Sequence, residues 1–415
     1  MGMNDLPSDI SWNVFSRLDV DSVLDCKLFC KPWRNLIKNP SFARMHLARR
    51  KLMLQKPDED DIQDLSTNAC DTAQLGFLCL QRIDYESHDA RLHFVECNMD
   101  TEKKAYAVKC KTINIPPINN FNGDASTINS CNGLICSTIR HHRLNDPIHI
   151  YNPVTREYVY LPRYTSEDKG GASRMKCGFG YSPSTDEYKV VRIFYKHLGD
   201  RRWWFQVYTL GSESNKWTAE KETPYPLFHN GCRYSKGVLV NGDIHWLDNA
   251  SKIVAFNLAD DEFHYIPSPP LVEGSTCGKS LSVLGNWLCF VHHKSDKMNK
   301  NTHVDIWLLK KNNDINVQQN GTCNWNKEFT VQAETSISLT PLAFTTKGKV
   351  LFWQDREFVS CYDPKTAVLE KLSKGEDDYK VSLNSYEATP HINSFISLKA
   401  LGVKKCRRRL QYKGK

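Results

Sequence analysis

Apolar positions recur with two different periods along this 415-residue chain. In the first fifty residues Ile10, Val14, Phe15 and Leu18 repeat at helical spacing after Leu6-Pro7, with Ser8 placed to cap the first turn. Asp19-Val20-Asp21 offers carboxylates where a second helix would start, and Val23, Leu24, Leu28 and Phe29 continue a helical stripe. Pro32 suits the first turn of a third short helix carrying Trp33, Leu36 and Ile37, which Asn39-Pro40 stops. Three helices in about forty residues close a core only marginally, and their apolar side chains outnumber what so small a bundle covers. The pattern predicts a docking module whose surplus apolar face meets a partner.

After His46 the helical pattern fades through Arg49-Arg50-Lys51. Residues 51–73, acidic from Asp58 to Asp71, hold too few apolar side chains to bury and read as a linker. From about Gln74 the texture changes to short strands between turn residues, among them Gly76-Phe77-Leu78-Cys79-Leu80, Ile148-His149-Ile150-Tyr151, Phe205-Gln206-Val207-Tyr208 and Val350-Leu351-Phe352-Trp353. This region repeats itself. Tyr151-Asn152-Pro153 to Leu161-Pro162 is echoed by Phe256-Asn257 to Ile266-Pro267 and by Tyr362-Asp363-Pro364 to Leu372, each reading strand, tight turn, strand. Val240-Asn241-Gly242 to Trp246 and Thr346-Lys347-Gly348 to Trp353 form a second recurring piece upstream. Repeats of roughly forty to fifty residues, each a few strands, point to propeller blades. The expected architecture is α+β and multidomain: a three-helix unit over 1–50, the linker, a mainly-β propeller-like domain of about six blades over 74–402, and a basic tail over 403–415. The apolar run Phe395-Ile396-Ser397-Leu398 suits a strand that closes the ring.

Composition narrows the setting. The chain is 40% hydrophobic and 25% charged, as a soluble globular protein would be, and no apolar run approaches the ~20 residues of a membrane helix. Asp5, Asp9 and Arg17 interrupt the N-terminal helix, against a signal peptide, and Leu6 stands where a myristoylation signal needs Ser or Thr. Fifteen cysteines, an odd number with no Cys-x-x-Cys, predict reduced thiols and a place in the cytoplasm, the nucleus or both. On that reading the glycosylation patterns at Asn249 and Asn320 arise by chance. The net charge of +8 is modest, and much of it lies in Lys404, Lys405, Arg407, Arg408 and Arg409. That run reads equally as a nuclear-import address, a phosphate contact or a solvated tail.

Residues for catalysis are hard to place. Cys26 and Cys30 stand one helical turn apart, but an apolar role explains them without a metal. His141-His142 and His292-His293 read as exposed loop pairs, since strand neighbours point to opposite faces and make a poor clamp. No phosphate loop, Gly-x-Ser-x-Gly elbow or His-Glu-x-x-His helix occurs, and no cofactor or metal is expected. Arg201-Arg202-Trp203-Trp204 is the candidate contact for a target protein, because Trp and Arg dominate binding hot spots; the competing reading buries one ring in a strand reaching Tyr208.

Two resemblances join these readings. Leu6-Pro7, Val14-Phe15, Leu18, Leu24, Cys30-Lys31, Trp33, Leu36-Ile37, Pro40 to Phe42 and His46 resemble the F-box, the motif that plugs substrate receptors into cullin-based ubiquitin ligases. Ser130 to Cys136, the Asn152-Pro153 hairpin, Gly178 to Val191 and Gly242 to Trp246 resemble the F-box-associated, kelch-related domain of plant F-box proteins. The resemblance implies a non-catalytic substrate receptor of an SCF ligase that binds a Skp-family adaptor and, through it, cullin. Leu6, Pro7, Ile10, Phe15, Leu18, Leu24, Cys30 and Trp33 would then form the adaptor surface or hold its helices. A propeller-type glycan-binding module or enzyme with a helical cap is the alternative, and a nucleic-acid binder rests only on the tail and Arg201-Arg202.

Overall fold

The computed structural model describes residues 8–53, 75–82, 90–100, 105–113, 128–141, 144–164, 175–196, 202–225, 227, 236–248, 250–270, 278–295, 302–310, 324–333, 337–345, 347–372 and 385–408. Four helices come first: α1 (Ser8–Arg17), α2 (Val20–Phe29), α3 (Lys31–Ile37) and α4 (Pro40–Met53). The three-helix expectation is corrected. Asn39-Pro40 stops α3 and at once starts α4, with the Asn39 side chain accepting the Ser41 N–H at 2.9 Å and Pro40 at the first helical position, where its missing N–H costs nothing. The basic stretch Arg49-Arg50-Lys51 runs into the last turn of α4, where Arg50 and Lys51 meet the negative end of the helix dipole. Asp19 caps α2, accepting from the Ser22 N–H at 2.8 Å and its hydroxyl at 3.0 Å. Burial pushes its carboxyl up, but the bonds from Ser22 and the nearby Arg50 charge outweigh that and hold it below the ordinary value.

Six antiparallel sheets follow and form a six-bladed propeller. Blades 2 to 6 take their strands in chain order, innermost first, starting at Ile128, Met175, Val238, Lys279 and Leu339. Blade 1 is composite. Leu75–Arg82, Ala90–Asp100 and Ala105–Ile113 are its outer three strands, and Ser385–Pro390 returns as the innermost, pairing Leu78 with Thr389 and Cys79 with Ala388. The innermost strands adjoin one another around the ring, so this pairing closes it and leaves no open sheet end at the seam.

The hairpin repeats share one turn. Asn152 Oδ1 accepts from the N–H groups of Val154 and Thr155 at 2.8 and 3.2 Å, and Asn257 Oδ1 accepts from Ala259 and Asp260 at 2.8 and 3.0 Å. Asp363 Oδ1 does the same for Lys365 at 3.0 Å. Four residues on, Arg156, Asp261 and Ala367 each take a left-handed φ of 61°, 56° and 57°. The Asx side chain thus supplies the turn that the sequence repeat marks.

Phe395-Ile396-Ser397-Leu398 is not the closing strand. It lies outside every sheet, between α4 and blade 2, with Phe395, Ile396 and Leu398 buried in the same core as Phe42, Leu47 and Leu134. Its apolar side chains are covered from two sides while its backbone joins no β-ladder, its Ser397 and Leu398 carbonyls instead accepting turn bonds from Leu401 and Val403, a pattern periodicity alone cannot tell from a strand. His292 and His293 also depart from expectation, lying in the second strand of blade 5 (Trp287–Ser295), with His292 1% exposed. His142 lies outside the described residues.

Candidate functional site

The helical unit is amphipathic in two directions. Phe15, Val20, Val23, Ile37, Phe42, Ala43 and Leu47 turn inward and join a core continuous with blades 2 and 3. Trp33 packs edge-on against Phe15, with ring centroids 4.9 Å apart, and lies 6.0 Å from Phe29. On the outer side Ile10 and Val14 are 46% and 48% exposed, and Leu28 and Phe29 are 75% and 77% exposed. Nine residues at 100° each put Phe29 diametrically opposite the buried Val20 on α2. The fold therefore leaves large apolar side chains in water, Phe29 among them beside the half-buried Trp33.

The expected adaptor residues divide accordingly. Ile10 belongs to the exposed set. Phe15 is buried, while Leu18, Leu24 and Trp33 are half-buried and hold the helices together. Cys30 is the extended residue joining α2 to α3. Leu6 and Pro7 lie outside the described residues. Val14, Leu28 and Phe29 join Ile10 in the exposed set on α1 and α2, Leu52 is exposed on α4 as well, and the helical wheel of α2 carries the signal for Phe29.

A second apolar contact fixes the helices on the propeller. Phe395 lies 5.9 Å from the Phe42 ring and 5.2 Å edge-on from His46, whose Nε2 is 3.0 Å from the Leu18 carbonyl. Burial, the largest cause, and the Arg50 charge lower the His46 pKa despite that carbonyl, so the ring sits neutral between aromatic edges. Arg44 and Asp186 approach to 3.7 Å, but both are exposed and such a pair contributes little. The contacted turns, including Asn132-Gly133, Asn152 to Glu157 and Ser182 to Glu187, all lie at one end of the blades.

Arg202, Trp203 and Trp204 lie at the other end of blade 3. Trp204 pairs with Phe194, one full strand away from the Ser182–Glu187 turn. Trp203 is 3% exposed and packs on Tyr195 in the core shared with blade 4. Trp204 is half-buried, with Lys196 Nζ 3.7 Å and the Arg202 guanidinium 5.7 Å from its ring centre, a cation–π arrangement. Lys196 is paired with Glu220 at 2.6 Å. Arg201 lies outside the described residues. Among the described residues no group of three or more His, Cys, Asp or Glu side chains is gathered to hold a metal ion, and no helix is long and apolar enough to cross a membrane.

Four helices seated on one face of a closed six-bladed ring define a propeller protein with a separate helical module. Residues 78–391 match the F-box associated beta propeller domain, and residues 3–48 match the F-box-like family. The chain belongs to the F-box associated beta propeller family. It is 24% identical over 416 residues to F-box protein At3g07870 of Arabidopsis thaliana, covering 89% of this chain and 88% of that relative. It is 25% identical over 425 residues to F-box protein CPR1 of the same plant, covering 95% and 89%. The kelch relation is looser: F-box/kelch-repeat protein At3g23880 of the same plant is 20% identical over 389 residues, covering 91% of each.

Proposed function

We propose that this protein is a non-catalytic substrate-recognition subunit of an SCF-type ubiquitin ligase. The observation that carries this reading is the exposed apolar set Ile10, Val14, Leu28 and Phe29 on helices that match an F-box-like family. Leaving four large apolar side chains in water costs solubility unless a partner covers them, and a Skp-family adaptor linked to cullin is the partner of an F-box. The opposite end of the propeller, with Arg202 and Trp204 at its rim, is free of the helices and would hold the target. The ligase then works by proximity, raising the effective concentration of target lysines near a charged ubiquitin carrier. The Leu6→Ala, Pro7→Ala double variant is expected to weaken recovery of the adaptor with the chain. Undiminished recovery argues against the assignment.

A further inference from the structure

After the closing strand the chain does not leave the propeller. Residues 391–408 cross the helix-bearing face against the first three blades and then add Arg407–Arg408 as an outermost fifth strand to blade 2, opposite Tyr158 and Glu157. Polar groups pin it along the way. Asn152 Nδ2 donates to the carbonyls of Ser394 at 3.1 Å and Ile396 at 2.6 Å, Ser394 Oγ donates to the Asn132 carbonyl at 2.6 Å, and Ser397 Oγ donates to Glu157 at 2.8 Å. Asn152 is wholly buried, so the residue that builds the blade 2 hairpin also clamps the segment.

Three glycines give the segment room, one from each blade it passes. A Cβ at Gly76 would stand 2.7 Å from the His391 carbonyl, one at Gly133 2.1 Å from Ser394 Oγ, and one at Gly211 1.9 Å from the Leu401 carbonyl. The segment's upper side carries Phe395 against Phe42 and His46 of α4. It therefore touches the blades below and the helices above, as a shim does between two parts.

We propose that residues 391–403 are a positioning element that fixes the helices on the propeller and so determines which lysines the ligase reaches, with Asn152 and Phe395 as its positioning residues. The claim about lysines rests on the receptor reading above; the claim about orientation does not. Two tests separate them. In the full chain, alone and bound to a Skp-family adaptor, probes introduced as unnatural amino acids at the exposed Leu52 and Val368 report the distance between α4 and blade 6. Gly211→Ala, Asn152→Ala and Phe395→Ala are each expected to broaden the distance distribution at least twofold. Gly348→Ala is the control, since it carries the same left-handed strain with φ 75° but has nothing within 4 Å, and should leave the distribution unchanged. Distributions as narrow as the parent's in all three variants overturn the proposal.

The second test reads the lysines of this chain that become ubiquitinated in the reconstituted ligase. The broadened variants should modify at least twice as many positions as the parent, because a loosely held propeller sweeps more lysines past the carrier. Broadened distances with an unchanged lysine pattern overturn the positioning role. A parent chain that fails to bind the adaptor overturns the receptor reading, and the distance measurement on the chain alone still decides the shim.

Discussion

Asn152 shows how much one side chain settles. Its Oδ1 organises the hairpin and its Nδ2 holds two carbonyls of a segment more than 240 residues away, all out of water. Removing it strands those acceptors, so Asn152→Ala should destabilise the fold by about 1–3 kcal/mol, read as the free energy of chemical unfolding. A change within ~0.5 kcal/mol, the usual range of a neutral surface substitution, would contradict this account. The hairpin half of this role was legible, because Asn-Pro after an apolar strand announces a turn. The clamp half was not, since the partners are backbone atoms and leave no mark in composition. Phe29 was legible as part of a helical stripe, but only the angle between it and Val20 tells which side of α2 it leaves in water.

At the scale of elements, the helices and the blade 3 rim carry separable predictions. Asp19→Ala removes the α2 cap and should cost about 1 kcal/mol, measured by thermal or chemical unfolding. The folded-state carboxyl is lowered, so its contribution is present above the ordinary carboxylate pKa and fades as pH falls through the folded value. At the rim, Arg202→Ala with Trp204→Ala should abolish target capture in affinity purification while adaptor recovery stays as in the parent; retained capture would remove this surface from the account. Trp203 is excluded from that test because it is core. The sequence carried the Trp-Trp pair and the strand it opens, yet which ring stays at the surface depends on blade 4 packing behind it. The fourth helix hides for a local reason: Asn39-Pro40 is at once a stop and a start, and its stop signal masks the N-terminal cap it also supplies.

For the whole molecule, ring closure and buried histidines set the behaviour. The closing strand, the shim and the fifth strand of blade 2 come from one stretch, residues 385–408, so the ring's seam and the helices' seat are coupled. Burial pushes His149 and His391 down to about 4 and also lowers His46, His245, His292 and His293. Between the unfolded value of about 6.5 and 4 the unfolded chain takes up protons that the folded chain does not, so stability falls as pH falls. His149 and His391 each contribute a slope of up to ~1.4 kcal/mol per pH unit in that window, and the other four act in the same direction. Melting temperatures should therefore drop steadily from pH 7 to pH 5, and a flat profile would contradict the buried neutral rings.

The central claim is that the exposed side of the helices is an adaptor surface, and its most direct measurement is the affinity of a purified Skp-family adaptor for the Phe29→Asp chain, by calorimetry. Phe29 is 77% exposed, so the substitution should leave the chain alone folded. The account predicts at least a tenfold loss of affinity, about 1.4 kcal/mol. Parent-like affinity in a folded Phe29→Asp chain would contradict it.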